Sequence, residues 1–458
     1  MKLYLLNAIY LALRLQQLGH KNWLIVEREN YAGGLATTFV DAKGFHWDAG
    51  GHVIFSHYSY FDDVVDKALA AFVKCNKINN NKNDDEILWL QHKRNALIRY
   101  DTQSWIPYPF QANFYRANNA ALTKECFEGL YLATTNKQSS NVVTNFEDLV
   151  EKHYGSGIVR HFMRPYNLKV WAFPLDQLSH VWIGERLARV DFSKTLNDFI
   201  DYKSSASESE SNCCGWGPNA TFRYPKYGGT GGIWRGASLL LDQSKLKLNT
   251  RVVEVDAEAK RIKLDSMNSL EYDFLINTMP IDHFMRHVIR NGGGAEQEQE
   301  ELKHSQVHIV GLGFEGTRLP ADLADKSWIY FPDPKRSPFY RMTILSNHSP
   351  FMTGINSSSN SSEEKRWSLL FEMSESSYLR RSRADGTSIV DDIIDGALNE
   401  KLIDEREDLD HICSRFHRQL DYGYPTPCLN RDIYLKKMEA KLRMAHSIFM
   451  RGRFGGWK

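Results

Sequence analysis

Three short segments near the start of the chain carry the residue types that dinucleotide chemistry needs. Glu27 closes the apolar run Trp23-Leu24-Ile25-Val26, and an acid at a strand end can hydrogen-bond both hydroxyls of an adenosine ribose. Six residues on stands Gly33-Gly34-Leu35-Ala36, where paired glycines remove side chains that would hold a diphosphate or flavin away from the backbone. Gly50-Gly51-His52 follows within F-x-W-D-x-G-G-H: two glycines can pack against an isoalloxazine ring, and His52 can stand beside its reactive face. Taken singly these have plainer readings, namely a solvated glutamate, an ordinary turn and a structural histidine. The ordered combination, E-x(5)-G-G-L-A and then the Gly-Gly-His segment, favours a flavin site. Farther on, Val252-Val253-Glu254-Val255 reads as a strand whose backbone can pair with adenine. The segment 275–280, LINTMP, reads as a strand and turn closing over the cofactor; each of these two is generic alone.

Such residues need a sheet behind them. An amphipathic helix over residues 7–18 runs into NWLIVERE, the helix-to-parallel-strand step of an α/β sheet. From residue 120 to 202 apolar residues recur three or four apart in LTKECFEGLYLA, NFEDLVEKHY, GIVRHFM and GERLARV, which predicts a helical lobe. Strand patterns return in LKLNTRVVEV, RIKLD and FLINT, then in VHIVGLGF, WIYFP, RMTILS and RWSLLFEM, with IVDDIIDGALNEKL a further helix. The expected fold class is α/β: a Rossmann-like FAD-binding domain (1–85, 226–302 and 430–458), a helical insertion domain (115–205), and an antiparallel sheet domain for substrate (86–114, 214–225 and 303–429). Polar, low-complexity stretches near 75–86, 204–212, 291–301 and 356–365 read as surface loops or insertions.

Composition narrows the function classes. The chain of 458 residues balances 57 Lys and Arg against 56 Asp and Glu, a net charge of +1, so no basic field is available to recruit nucleic acid. No run reaches the roughly 18 apolar residues of a membrane span, and the apolar start has no small-residue cleavage site after it. Six cysteines without a C-x-x-C pair indicate neither a disulfide framework nor a zinc site. A soluble protein of a reducing, cytoplasmic compartment is expected, with an oligomeric assembly left open.

Eight further segments, in order, carry a specific resemblance: GGHVIFSHYSYFDD, WIPYPFQ, FMRPYNLKVWA, WGPNATFRYPKYGGTGGIW, WIYFP, SPFYR, YGYPTP and RGRFGGW. They resemble the eukaryotic-type UDP-galactopyranose mutases, in similar spacing and over nearly the whole chain. The resemblance implies an isomerase that interconverts UDP-galactopyranose and UDP-galactofuranose, in which reduced FAD attacks the anomeric carbon through N5 and UDP leaves and returns. It implies Arg164 and Arg341 as a diphosphate clamp, consistent with guanidinium forks stabilising a departing diphosphate. Tyr108, Phe110 and Gln111 are implied at the uridine end, where flat rings stack and an amide reads an edge. Asn219, Tyr330 and Tyr424 match positions that contact diphosphate and galactose. His52 and Phe55 resemble the loop beside the flavin, His52 with a catalytic role alongside Arg164 and Arg341. Arg453 joins Glu27, Gly33, Gly34, Leu35, Gly50, Gly51, His52 and Val253 at the cofactor. Arg94 matches an NADPH contact, although a serine expected two residues later is Ala96. No serine-histidine-acid, cysteine-histidine or paired-carboxylate arrangement stands out, which suits a nucleophile supplied by the cofactor.

The chain departs from that family at both ends. The family opens with a strand and a G-x-G-x-x-G loop for the FAD diphosphate; MKLYLLNAIYLALRL reads as entering directly at the helix. The expectation is therefore that the first, central strand is missing, that folding and FAD retention suffer, and that the C-terminal flavin segment is cut short after Trp457. The competing readings are a flavin amine oxidase or protoporphyrinogen-type oxidase, which shares the nucleotide domain, and an inactive fragment retaining UDP-sugar binding.

Overall fold

The structure is a computed structural model that describes residues 3–6, 8–77, 87–135, 142–184, 187–204, 220–290, 302–354, 366–380 and 388–457. Leu3–Leu6 is a strand, and it is central. It pairs in parallel with Phe274–Asn277 on one side and Trp23–Val26 on the other; Ile448–Met450 and Leu246–Lys247 complete a five-stranded parallel sheet. The expectation of a missing first strand is thus wrong. A four-residue apolar run is enough for a strand hydrogen-bonded along both edges, and it had been read as the lead-in to the helix. What the chain does lack is the glycine-rich turn, because only Asn7 and Ala8 separate this strand from the helix Ile9–Gln17. That helix buries Ile9, Ala12 and Leu13, spaced three and four apart, in one core with Trp23, Ile25, Ile233 and Ala237.

A four-stranded sheet is made from Val252–Asp256, Arg261–Leu264, Ser269–Glu271 and Ile289–Arg290, whose residues flank Phe274–Asn277 of the first sheet in the chain. A third sheet of seven strands runs in the order Ile412–Pro425, His304–Glu315, Arg366–Glu375, Arg341–Thr343, Trp328–Tyr330, Ala96–Arg99, Trp105–Pro107. It is antiparallel except where Trp328–Tyr330 meets Ala96–Arg99. One face packs Val310, Leu312 and Phe314 against Ile393 and Ala397 of the helix Ile389–Asn399. On the other face Gly311 and Gly313, two apart and therefore on one side of the strand, leave a groove. A side chain at Gly311 would come within 2.5 Å of the Trp47 ring, and one at Gly313 within 2.7 Å of Phe45. The Phe45 and Trp47 rings fill that groove, which seats the strand His46–Asp48, and the Gly50-Gly51-His52 turn after it, on this sheet.

The helical lobe consists mainly of Ala120–Thr135, Phe146–Ile158, Arg164–Trp171 and Phe192–Ser204, with a π-turn at Val159–Met163. GERLARV is not helical over 187–190, and Glu185 and Arg186 lie outside the described residues. The next helix starts only where Asp191 Oδ1 accepts the Lys194 N–H at 2.7 Å, the N-terminal capping an aspartate provides. RMTILS is likewise strand only through Thr343, giving way to the short helix Leu345–His348. Among the described residues no helix is long and apolar enough to cross a membrane.

Candidate active site

The glycine turn is anchored by a buried acid. Asp48 is 0 % exposed; its Oδ1 accepts the Thr38 hydroxyl at 2.5 Å and the Thr230 N–H at 3.2 Å, and its Oδ2 accepts the Tyr224 hydroxyl at 2.6 Å. Burial pushes its carboxyl up to about 6 against these donors. The chain then turns at Gly50, whose φ of 133° favours glycine, and Gly51 lies flat on the sheet. A side chain on Gly51 would meet Thr343 Oγ1 at 2.5 Å and Arg341 Cζ at 3.3 Å.

Register builds what the turn lies on. Tyr330 is directly opposite Arg341, and Arg341 directly opposite Glu372, on three adjacent strands, so the three side chains share one face. Arg341 donates from Nε to Glu372 Oε1 at 2.6 Å and from Nη2 to Oε2 at 2.8 Å, a two-pronged charge-assisted pair. The Gly51 N–H donates to Oε1 at 3.1 Å, and the Tyr340 hydroxyl to Oε2 at 2.9 Å. Burial alone would raise the Glu372 carboxyl, but Arg341 and the other donors hold it below the ordinary range. Burial likewise works against the Arg341 charge, and Glu372 more than restores it. His52 beside them is pushed down to about 4, chiefly by burial, with Glu372 pulling it up and Arg341 and Arg453 pressing it down. At neutral pH its ring is uncharged, and its Nδ1 is buried without a protein partner.

Aromatic rings surround this row. Tyr330 packs against Tyr108 at 5.2 Å and edge-on to Tyr166 at 5.4 Å between centroids, and the Arg94 guanidinium lies 5.4 Å from the Tyr108 ring. The Tyr340 hydroxyl reaches the Tyr424 hydroxyl at 3.4 Å. Tyr424 meets Trp171 edge-on and carries Arg453 5.0 Å above its ring.

Arg453 connects the row to a cavity of about 900 Å³. The cavity opens where the parallel strands end, and is lined by Ala8 to Leu11 at the start of the Ile9–Gln17 helix, by Gly33, Thr278, Arg451 and Arg453. The helix has no side-chain cap at Ala8, so its first N–H groups face a space at the usual dinucleotide position. At the end of the second strand Glu27 is buried, its Oε1 held by the Glu29 N–H at 2.9 Å, and burial raises its carboxyl. On Val252–Asp256 a bulge falls at Val253 between its pairings with Arg261–Leu264, and Ile289–Arg290 pairs only with Val255 and Asp256. The strand edge at Val253 is therefore open among the described residues. An uncapped helix start, two arginines, a buried strand-end acid and an open edge fit a flavin adenine dinucleotide, although Tyr10 and Ile9 stand where a glycine turn would offer more backbone.

Several expected site residues do not join this constellation. The Arg164 guanidinium is bound to Glu147 and, at 3.5 Å, to Glu151 on the half-exposed side of the helical lobe. Arg341 is not among its ion-pair partners; two acids one helical turn apart on Phe146–Ile158 hold the Arg164 charge in this structure. Phe110 is fully buried against Phe162 and Tyr100 in the lobe core and has no face to offer a uracil. Gln111 is buried near Tyr154, its Oε1 without a hydrogen bond. Phe55 is 45 % exposed, and Asn219 lies outside the described residues. Conversely, Glu372, Tyr340 and Asp48 were not singled out. The signal for Glu372 was present: a glutamate inside the apolar run RWSLLFEM cannot be buried unless it is paired.

Comparison with known proteins agrees with this arrangement in two steps. Residues 9–317 match the family of flavin containing amine oxidoreductases. Solved structures of a fatty acid isomerase from P. acnes (11% identity, TM-score 0.54, 99% of this chain and 95% of that one) and of a putrescine oxidase bound to putrescine (13%, 0.52, 98% and 92%) share the fold. The structure of a reduced UDP-galactopyranose mutase superposes with a TM-score of 0.85 at 34% identity, covering 100% of this chain and 89% of that one. The chain belongs to the UDP-galactopyranose mutase family.

Proposed function

We propose that this chain is an FAD-dependent isomerase that interconverts UDP-galactopyranose and UDP-galactofuranose in the cytoplasm. The observation that carries this reading is the row Tyr330, Arg341 and Glu372, with the Gly50-Gly51-His52 turn laid across it. It is a largely buried, hydrogen-bonded cation among rings, and it adjoins the cavity suited to a dinucleotide. FAD would be held by Glu27 at its ribose, by the start of the Ile9–Gln17 helix and Arg453 at its diphosphate, by Val253 at its adenine, and by Gly33, Gly34, Leu35, Gly50 and Gly51 along its length. Bound and reduced, it supplies the nucleophile for the anomeric carbon of the sugar.

The protein supplies the rest. The departing diphosphate gains negative charge, and Arg341 receives it where little water competes. Tyr108 and Tyr330 would offer ring faces to the nucleotide, and the Tyr330 hydroxyl, which accepts the Trp328 Nε1–H at 2.8 Å, would still have its own hydrogen to donate. Tyr424 lies between Arg453 and Tyr340, where cofactor and sugar would meet; Phe55 is exposed, so it is free to close on a bound substrate. His52 is kept neutral by burial, so it can accept or donate one hydrogen bond beside the reaction centre without adding charge. Arg94, stacked near Tyr108, is the proposed contact for NADPH as reductant.

The direct test incubates the FAD-loaded, chemically reduced protein with UDP-galactofuranose and follows UDP-galactopyranose by chromatography. Conversion that disappears in Arg341→Ala supports the reading. Protein that binds UDP and carries reduced flavin but converts nothing refutes it, and peroxide released with an amine would place the chain among the oxidases.

A further inference from the structure

Glu372 lies at the centre of the site. Each of its carboxylate oxygens takes two donors: Oε1 the Arg341 Nε and the Gly51 N–H, Oε2 the Arg341 Nη2 and the Tyr340 hydroxyl. Those donors come from three segments: the strand Arg341–Thr343, the residue preceding it, and the glycine turn. The carboxylate is 2 % exposed, so its interactions are little screened by water. Arg341 spends its Nε and one Nη2 hydrogen on the pair, which leaves Nη1 as the donor edge that Glu372 does not engage.

We propose that Glu372 is a positioning residue that fixes the direction of Arg341, lowers its effective charge toward a UDP diphosphate, and ties the arginine to the Gly50-Gly51-His52 turn. The proposal rests on the reading of Arg341 as the diphosphate contact. Its chemical sense follows from a reaction in which UDP must leave and then return. An unopposed guanidinium in a buried site would hold free UDP tightly, whereas a cation already shared with a carboxylate stabilises the departing charge without trapping it. The Gly51 N–H bond adds a mechanical link, because a shift of Arg341 toward a ligand pulls on the carboxylate that holds the turn.

Glu372→Gln and Glu372→Asp separate the two roles. Glutamine has one acceptor oxygen, so its amide N–H must face an Arg341 donor and the opposing charge is gone. Aspartate keeps the charge but retreats by one methylene. In Glu372→Gln the dissociation constant of UDP, measured by calorimetry on the FAD-loaded protein, is expected to fall on the order of tenfold for loss of a charge beside the cation. Turnover should fall while KM for the UDP-sugar drops with it. In Glu372→Asp UDP affinity should stay within about twofold, but hydrogen exchange of the peptide spanning Gly50 to His52 should accelerate, as it should in Glu372→Gln.

A residue that only supports the fold would weaken UDP binding when replaced; tightening is the signature of the proposal. UDP affinity in Glu372→Gln that is unchanged or weaker, with unaltered exchange at the turn in both variants, overturns it. If Glu372→Gln does not fold, the exchange and affinity of Glu372→Asp decide. Neither readout needs turnover: a wild-type protein that binds UDP without isomerising it would sink the mutase reading and leave this inference to be judged by its own measurements.

Discussion

Asp48 is the acid on which the glycine turn depends, and replacing it should have opposite effects according to the substituent. Its carboxyl is pushed up to about 6 by complete burial. An acid whose native value is raised contributes stability that is present below about 3.8 and lost as pH rises through about 6. The span between those values corresponds to about 3 kcal/mol. Asparagine has the shape of the protonated acid. Its oxygen can accept the Thr38 hydroxyl and the Thr230 N–H, and its N–H can donate to the Tyr224 oxygen once that hydroxyl rotates. Asp48→Asn should therefore gain on the wild type as pH rises. Melting curves at pH 4 and pH 7.5 should show the variant's midpoint moving up relative to wild type by up to about 3 °C. Asp48→Ala, by contrast, leaves three buried donors without an acceptor and should cost about 3–5 kcal/mol at either pH. A difference between Asp48→Asn and wild type that does not change with pH would refute the argument, since it would mean that the carboxylate is stabilised by its donors as fully as it would be by water.

Arg341→Ala removes the cation and strands Glu372, so UDP affinity should fall at least about a hundredfold and the melting temperature should drop, the unpaired carboxylate costing about 3–5 kcal/mol; UDP titration and melting curves check both. Arg164→Ala breaks only half-exposed ion pairs, so its stability should change by no more than about 1 kcal/mol and UDP titration should match wild type; a large loss of UDP binding would restore the two-arginine clamp. Gly51→Ala drives a methyl group against Thr343 Oγ1 and the Arg341 guanidinium and should cost about 1–3 kcal/mol with a matching loss of UDP binding, read by the same two measurements.

The sequence was most readable where chemistry is local. Glu27 and the Gly-Gly pairs are short patterns whose residue types limit what they can do; Glu27 does follow the strand Trp23–Val26, and Gly50 does take a positive φ. It was least readable where position depends on register. Nothing near Arg341 in the chain shows that Glu372, some thirty residues later, is its cross-strand partner; two strands had to be aligned before the pair existed. Arg164 failed for the related reason that its partners, Glu147 and Glu151, reach it only through the fold of the helical lobe. The opening strand was missed because four apolar residues before a helix carry no period of their own, and only pairing on both edges makes them a strand.

That same register argues for a phosphorylated substrate over an amine. The putrescine oxidase that shares this fold does so at 13% identity, so likeness of shape leaves the substrate open. A chamber for an amine has no use for a buried guanidinium, which would repel a protonated substrate and impose a desolvation cost. Here the cation is retained, braced by Glu372 and flanked by Arg453 and Arg94 at the edges of the same ring cluster. A guanidinium held in one direction among tyrosine rings suits negative charge attached to a flat, polar group, which is what a nucleotide diphosphate brings.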